Sequence, residues 1–480
     1  MKISSTEKHV GFASAVSVML FLVIAISVQV FVFESTGTTQ ITLILVTAVA
    51  AIVAMLNGYS WDDVQKGILH GCNIAMLPML ILMLVGALIA TWIAAGTIPC
   101  LIYYGVLLLT PKYFLFSTCL ICCFGSLATG SSWTTAATFG VGFMGVGIGL
   151  GVSPEITAGA VISGSIFGDK MSPLSDSTNL ASGVAEADLF DHIRSMTYST
   201  GPAILLTLLI FFIWGFSFSS NVNVDNSQIT QILDGIKNNY SLSIITLIPP
   251  ALVVVLAMKR VGGLAVMVIA TVTASLIAIF LQDQTASDML TYMNFGYVSN
   301  IGVVEVDKLL SSGGLQNMMW TVSLGFVALS MGGVMEKTNM LEAILQRMKR
   351  WVRTVSGLVT THVVSSILIN IFTASQFMAI IIPTRMLVPV YKSKKLLPQV
   401  CSRVSEDSAT VTSPLIPWGL GGVYFSSVLG VATMDYLPFT FFAILAPLMT
   451  LLLAYTNIYM FKEGDIVSAK KYSEKEQVNA

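Results

Sequence analysis

The sequence predicts an all-α polytopic membrane protein: about ten transmembrane helices plus two re-entrant hairpins, arranged as two inverted-topology repeats with broken helices. Three observations predict it. Of 480 residues, 55% are hydrophobic and only 10% are charged, against roughly 25% charged in a soluble domain. Apolar runs such as Val10–Phe33, Ile41–Leu56 and Thr440–Met460 recur along the chain, near the length of about 20 residues that crosses a hydrocarbon core. Finally, a polar stretch at Ile166–Asn179, set in apolar surroundings, has a counterpart about 240 residues later.

The expected crossings are residues 10–33, 41–57, 71–95, 155–180, 196–218, 242–257, 260–281, 319–335, 398–420 and 438–461. The first follows Lys2 and Lys8, as a signal peptide would. Its 24 residues exceed the usual apolar region and no small-residue cleavage site follows, so a retained helix is expected. Two further apolar segments, 113–152 and 354–391, are interrupted by Ala128–Thr135 and Asn370–Gln376. Each arm spans only about 22–29 Å, at about 1.5 Å per residue, mostly short of the ~30 Å core. Both therefore read as hairpins with polar tips near the midplane, tolerable only where buried in protein or lining a cavity.

With the N-terminus in the cytoplasm, nineteen Lys and Arg fall inside: Lys2, Lys8, Lys66, Arg194, Lys259, Arg260, Lys337, Arg347, Lys349, Arg350, Arg353, Arg385, Lys392, Lys394, Lys395 and four in the tail. Only three, Lys112, Lys237 and Lys308, fall outside, which satisfies the positive-inside rule. The outer loops 219–240 and 282–318 carry Asp225, Asp234, Asp283, Asp288, Glu305 and Asp307 instead. Both termini are thus expected in the cytoplasm. A version in which 113–152 crosses twice preserves the same downstream orientation.

The two halves repeat one order: three crossings, an interfacial helix, a hairpin, a broken helix and a last crossing. Thr97–Leu109 corresponds to Met340–Trp351. Ser172-Pro-Leu174 corresponds to Ser413-Pro-Leu415, 241 positions on, and Thr129-Gly-Ser131 to Thr373-Ala-Ser375, 244 positions on. Five crossings per half is odd, so the second half must be inverted, a recurrent plan for secondary transporters. The expected units are 1–218, an outer linker at 219–240, 241–461 and a cytoplasmic tail at 462–480.

The chemistry is expected at the two broken helices. The first places Asp169, Lys170, Ser172, Ser175, Asp176, Thr178 and Asn179 around Gly168 and Pro173, residues that would open the helix and free backbone carbonyls. The second places Arg403, Glu406, Asp407, Thr410, Thr412 and Ser413 beside two prolines. An ionised side chain at the bilayer centre costs roughly 2.5–3.5 kcal/mol on insertion scales, so such residues point to function. Hydroxyls, carbonyls and one or two carboxylates suit a hard cation such as Na+. A carboxylate that holds Na+ when ionised and a proton otherwise would let the two ions compete, because desolvation raises its pKa. The hairpin tips add Thr129, Ser131, Ser132, Thr134, Thr373 and Ser375. Ser172 and Asp176, one helical turn apart, are expected to converge if the second half-helix starts at Ser172. Two plainer readings stand beside this: a cytoplasmic loop at 166–179, or acids that Lys170 and Arg403 simply neutralise.

Other patterns carry less. Cys119-x-x-Cys122-Cys123 lies in an apolar helix without histidine or carboxylate neighbours and reads as packing. Gly140-x-Gly-x-x-Gly145 lacks a preceding strand, so no dinucleotide site is expected. Gly145-x-x-x-Gly149 and Gly147-x-x-x-Gly151 offer small packing faces. His9, His70 and His192 fall at expected membrane edges, and His362 in a hairpin arm reads as packed. Trp133 and Trp418 fall beside the polar sites. A net charge of -1 with no basic tract argues against nucleic acid, and no Walker A sequence points to ATP. An intramembrane protease using Asp169 and Asp407 would leave the doubled plan unexplained.

Gly168-Asp-Lys-Met-Ser-Pro-Leu-Ser-Asp-Ser-Thr-Asn-Leu180 resembles the signature of NhaC-type Na+/H+ antiporters, as do Thr129-Gly-Ser-Ser-Trp-Thr134 and the plan of the second half. The resemblance implies the ion-transporter superfamily fold, with a scaffold and a mobile transport domain. It implies Na+/H+ antiport across the cytoplasmic membrane, without a cofactor. Some members are described as exchanging malate with protons for lactate with Na+. The alternative is therefore a Na+-coupled organic-acid exchanger, with malate or lactate bound at Arg403 or a hairpin tip. A homodimer is left open.

Overall fold

A computed structural model describes residues 10–33, 38–221, 226–259, 261–302, 306–307 and 310–462. Lys2, Lys8, His9, Asp225, Arg260, Glu305, Lys308 and the tail from 463 onward lie outside the described residues. The first half runs α1 (Phe12–Phe31), α2 (Thr39–Leu56), α3 (Trp61–Ala94), α4 (Thr97–Leu108), α5 (Pro111–Thr129), α6 (Ser132–Thr135), a π-helical turn (Ala136–Gly140), α7 (Val141–Gly149), α8 (Pro154–Met171), α9 (Asp176–Val184) and α10 (Leu189–Asn221). Helix α11 (Asn226–Asn239) leads to the second half: α12 (Ile248–Met258), α13 (Gly263–Leu281), α14 (Ala286–Phe295), α15 (Leu315–Lys337), α16 (Met340–Met348), α17 (Val355–Thr373), α18 (Gln376–Ser393), α19 (Pro398–Thr412), α20 (Leu420–Leu429), α21 (Thr433–Tyr436) and α22 (Phe441–Thr456). Apart from two isolated β-bridges, no strand pairing occurs among the described residues.

Eight helices are long and apolar enough to cross a membrane, or up to ten if two bent pairs each count once. This count and the expected ten overlap only in part. It includes α5 and α17, which the sequence reads as hairpin arms, and it omits α8, whose charged and polar residues lower its hydropathy, and α19, which has only 15 residues. Both arms end at a left-handed residue on a buried tip.

Several boundaries differ from expectation. Helix α3 starts at Trp61 instead of residue 71, because Ser60 and Asp63 form a reciprocal capping box. Its first turns carry Asp62, Asp63, Lys66 and His70, which hid the helix from an apolar-run reading. Helix α10 likewise begins at Leu189 instead of 196. The 219–240 linker contains a helix, and its C-terminal part meets the Ile244–Met258 segment at 99°. Gly168 does not interrupt its helix: the break comes at Ser172-Pro173.

Glycine seams bring the helices close. A Cβ on Gly164 would lie 2.2 Å from the Cys119 carbonyl oxygen, and one on Gly168 2.2 Å from that of Cys123. Gly164-x-x-x-Gly168 therefore presses the backbone of α8 onto α5, the close approach that small residues permit in membranes. The buried cysteines of α5 are packing residues on that seam. Gly67 and Gly71 of α3 do the same against Val334 and Leu329 of α15. These two seams fix the walls between which the polar residues sit.

Candidate functional site

The two hairpin tips close with the same hydrogen bonds. Gly130 (φ 67°) and Ala374 (φ 56°) take left-handed conformations that end α5 and α17. At the first tip Thr129 Oγ1 donates to the Ser131 carbonyl (3.3 Å) and accepts from the Ser131 N–H (3.4 Å). At the second, Thr373 Oγ1 donates to the Ser375 carbonyl (3.4 Å) and accepts from the Ser375 N–H (3.3 Å). Ser131 and Ser375 then cap the following helices, accepting from the N–H groups of Thr134 and Met378. Helices α4 and α16 also start alike, after left-handed Gly96 and Asn339.

The first tip is tied to the first broken helix through Asp169. Its Oδ2 accepts from the Ser132 backbone N–H (3.0 Å) and hydroxyl (2.6 Å). Beyond the break, Ser175 caps α9, and its hydroxyl lies 3.1 Å from that of Ser177. Asp176 is exposed, and together with Asp169, Ser131, Thr134, Ser175 and Ser177 it lines a cavity of about 890 Å³. Thr129 and Trp133 also face this cavity, as do Ile74–Ile81 positions of α3 and the Ala257–Met267 turn between α12 and α13. Asn179 borders it too, with its amide donating to the Pro173 and Ser175 carbonyls. Trp133 stacks on Tyr424 with ring centroids 4.2 Å apart.

The expected Ser172–Asp176 convergence does not occur. Helix α9 starts at Asp176, and Ser172 instead donates to the Leu127 carbonyl of α5 (2.9 Å). The Thr178 hydroxyl donates to the Lys170 carbonyl (2.9 Å), holding the two half-helices together across the break.

The acids of α19 separate. Asp407 is fully buried in an ion pair with Lys170 and also accepts from Ser199 (2.6 Å), Thr200 (3.3 Å) and Thr450. For this acid the neutralised reading describes the geometry. Glu406 turns the other way: its Oε1 accepts from Ser177 (2.8 Å), while its buried Oε2 has no hydrogen-bond partner among the described residues. The hydroxyls of Thr410 and Ser413 are buried without a partner as well. Thr412 donates to the Ser408 carbonyl (2.5 Å) and accepts from Asn370 (3.2 Å). Thr373 and Ser375 are buried, and the second tip reaches the cavity wall through Gln376 and Phe377.

Arg403, a candidate for pairing with these acids or binding a carboxylate, does neither here. It is fully buried, and its guanidinium donates to the Ser195 (3.4 Å) and Tyr459 (3.1 Å) carbonyls. His362 is buried between Tyr391 (3.1 Å) and Thr384 (3.3 Å). His192, expected at a membrane edge, is fully buried. Trp418 reaches back to the Ile371 carbonyl (2.8 Å) near the second tip.

Sequence reasoning missed Ser177, Ser199, Thr200 and Thr450. Ser177 sat in the quoted stretch, and its position one residue past Asp176 was the available signal. Ser199 and Thr200 were readable only as polar residues at the start of an apolar run. Thr450 is a single hydroxyl among aliphatic residues, with nothing to mark it.

Comparison with known proteins agrees with this architecture. The model of the Na+/H+ antiporter family matches residues 8–178 and 164–458. The chain is 38% identical over 432 residues to the Na+/H+ antiporter NhaC of Alkalihalophilus pseudofirmus, covering 90% of this chain and 93% of that one. It is 36% identical over 420 residues to NhaC of Bacillus subtilis, covering 87% and 92%. The malate-2H+/Na+-lactate antiporter of Bacillus subtilis is 33% identical over 433 residues, covering 90% and 92%. These relatives are transporters, not enzymes. The chain belongs to the Na+/H+ antiporter family.

Proposed function

We propose that the chain exchanges Na+ for H+ across the cytoplasmic membrane, taking Na+ at the first hairpin tip and the break between α8 and α9. The observation that carries this reading is Asp169, held by Ser132 beside a cavity that also presents the Asp176 carboxylate. Two carboxylates with hydroxyl and carbonyl oxygens form an oxygen-rich set suited to a hard cation. The opened backbone at Pro173 and Leu174 lines a cavity, the setting in which irregular membrane backbone is tolerated.

The Lys and Arg distribution orients the site. It puts the α12–α13 turn, with Lys259, on the cytoplasmic side, so the cavity bordered by that turn faces inward. The first hairpin enters from outside and the second from inside. Exchange then needs the tips and broken helices to move against the α3–α15 scaffold, exposing Asp169 to one side at a time. Cysteines placed at Ser287 and Ser393 test this: the first should be labelled from outside and the second from inside only. External labelling at Ser393 overturns the orientation.

Sealed proteoliposomes test the function itself. Vesicles loaded with Na+ and diluted into Na+-free buffer should exchange internal Na+ for external protons without ATP. If exchange needs malate or lactate, the organic-acid alternative replaces the simple antiporter. That alternative no longer has Arg403 as its anion site in this conformation, because the guanidinium is enclosed.

A further inference from the structure

The buried pair Lys170–Asp407 needs a route to solvent if it is to exchange protons, and α10 offers one. His192 is fully buried, and neither ring nitrogen has a hydrogen-bond partner among the described residues. Ser195, three residues on, is buried with an unpartnered hydroxyl. Ser199, four further, donates to Asp407 Oδ2 (2.6 Å). Spacings of three and four put all three on one face of the helix. One turn before His192, the exposed Asp188 caps the start of α10 and accepts the His192 N–H at its carbonyl (2.9 Å). The polar row therefore runs from the surface at Asp188 to the buried pair, through two groups whose polar atoms are free to accept or donate.

We propose that the His192–Ser195–Ser199 face of α10 conducts protons between the surface and the Lys170–Asp407 pair, and that Na+ and H+ are thus handled on opposite sides of the broken helix. Imidazole suits the first step, since it can take a proton on one nitrogen and release it from the other. The charged groups facing His192 from neighbouring helices are Lys170 of α8 and Arg403 and Asp407 of α19. Internal water satisfies buried polar atoms of this kind and links such a row. At the pair, an O–H bond forms on the Asp407 carboxylate as the Ser199 O–H bond breaks, Ser199 takes the next proton from the row, and the Lys170 ammonium keeps its protons. The pair changes from neutral to singly positive. Lys170 is the residue next to Asp169, so the added charge disfavours Na+ at the tip. Antiport then has that proton leave the pair toward the opposite face of the membrane in the alternate conformation, which restores the neutral pair and favours Na+ again.

This inference rests on the Na+/H+ antiport reading, and one pair of assays separates the two. Purified wild-type protein in proteoliposomes should show Na+-driven proton flux and also exchange of labelled Na+ for unlabelled Na+, which needs no proton transfer. His192→Gln keeps a polar side chain that does not titrate. It should lower Na+/H+ exchange about tenfold or more and flatten its pH profile, while Na+/Na+ exchange and the KM for Na+ stay near wild type. Ser199→Ala should act in the same direction. Loss of both exchange modes in His192→Gln would assign the residue a packing role and overturn the proposal. Wild-type rate and pH profile in that variant would overturn it too. Absence of Na+-driven proton flux in the wild type would instead fail the antiport reading.

Discussion

Thr129-Gly130-Ser131 and Thr373-Ala374-Ser375 close their hairpins with matching hydrogen bonds, yet they serve different surroundings. Both tips reach the cavity, the second through Gln376 and Phe377, but only the first engages a carboxylate there, Asp169 through Ser132. The second packs against α15, where a Cβ on Gly332 would meet the Thr373 carbonyl oxygen at 2.5 Å. The repeat offsets locate the divergence. Adding 241 to Asp169 gives Thr410, and adding 244 to Ser132 gives Gln376. The carboxylate and its hydroxyl partner are both replaced in the second half, while the turn that would present them is kept. The backbone turn is common to both tips, and the carboxylate–hydroxyl pair occurs at only one of them. The acids that the second half does contribute lie one to two helical turns before its break, where Asp407 is neutralised and Glu406 faces back toward Ser177.

The sharpest way to break this comparison is to remove the charge from each half in turn. A carboxylate and a cation about 4 Å apart attract by about 4 kcal/mol at an effective dielectric near 20, worth about three orders of magnitude in affinity. Asp169→Asn should therefore cut Na+-dependent proton flux at least about 100-fold at every pH, with normal insertion. Thr410→Val, at the matching position of the second half, should leave more than about half of the flux, since no charge is removed. Equal losses in the two variants, measured in the same vesicles, would show that the second half carries the site as well.

A smaller effect concerns the pair that bridges the halves. Lys170→Met strands a buried carboxylate, which costs about 3–5 kcal/mol, whereas replacing both partners by apolar residues is often neutral. Lys170→Met should lower the melting temperature in detergent, and Lys170→Met with Asp407→Leu should recover most of it. The double variant should still fail to exchange Na+ for H+. A single variant as stable as the wild type would mean that the ion pair does not form.

How much of this was legible in the sequence follows from which signals are local. Pro173, the hydroxyl-rich stretch around it and the repeated Ser-Pro-Leu are visible in one pass, and they located both breaks. The tip turns were visible because Thr-x-Ser recurs, though nothing local marked Ala374 as left-handed. What stayed hidden depends on direction. Glu406 and Asp407 are neighbours in sequence, but successive residues on a helix point about 100° apart, so one faces α9 and the other α10. Arg403 looked available because it precedes the acids by about a turn, yet the carbonyls of Ser195 and Tyr459 that hold it come from distant segments. Gly168 looked like a helix breaker because its partner, the Cys123 carbonyl, is 45 residues away in sequence (168 minus 123).

The tips also differ at their central residue, and exchanging its type gives the smallest expected effects. Gly130 has φ 67°, and a Cβ there would lie 2.6 Å from the Leu174 Cβ and 2.9 Å from its carbonyl carbon. Gly130→Ala therefore adds left-handed strain of about 1–2 kcal/mol and also pushes on Leu174 inside the break of the first broken helix. It should lower both the melting temperature and the transport rate. Ala374 already tolerates φ 56° with its methyl buried. Ala374→Gly relieves a similar strain, but it loses a buried methyl worth about 0.8 kcal/mol and frees the unfolded backbone by about 0.4–1 kcal/mol. These nearly cancel, so stability should change by no more than about 0.5 kcal/mol and transport should be unaffected. Parallel melts and flux assays of the two variants check this. A large loss in Ala374→Gly would show that the second tip depends on side-chain packing, and that the two turns are alike in hydrogen bonding alone.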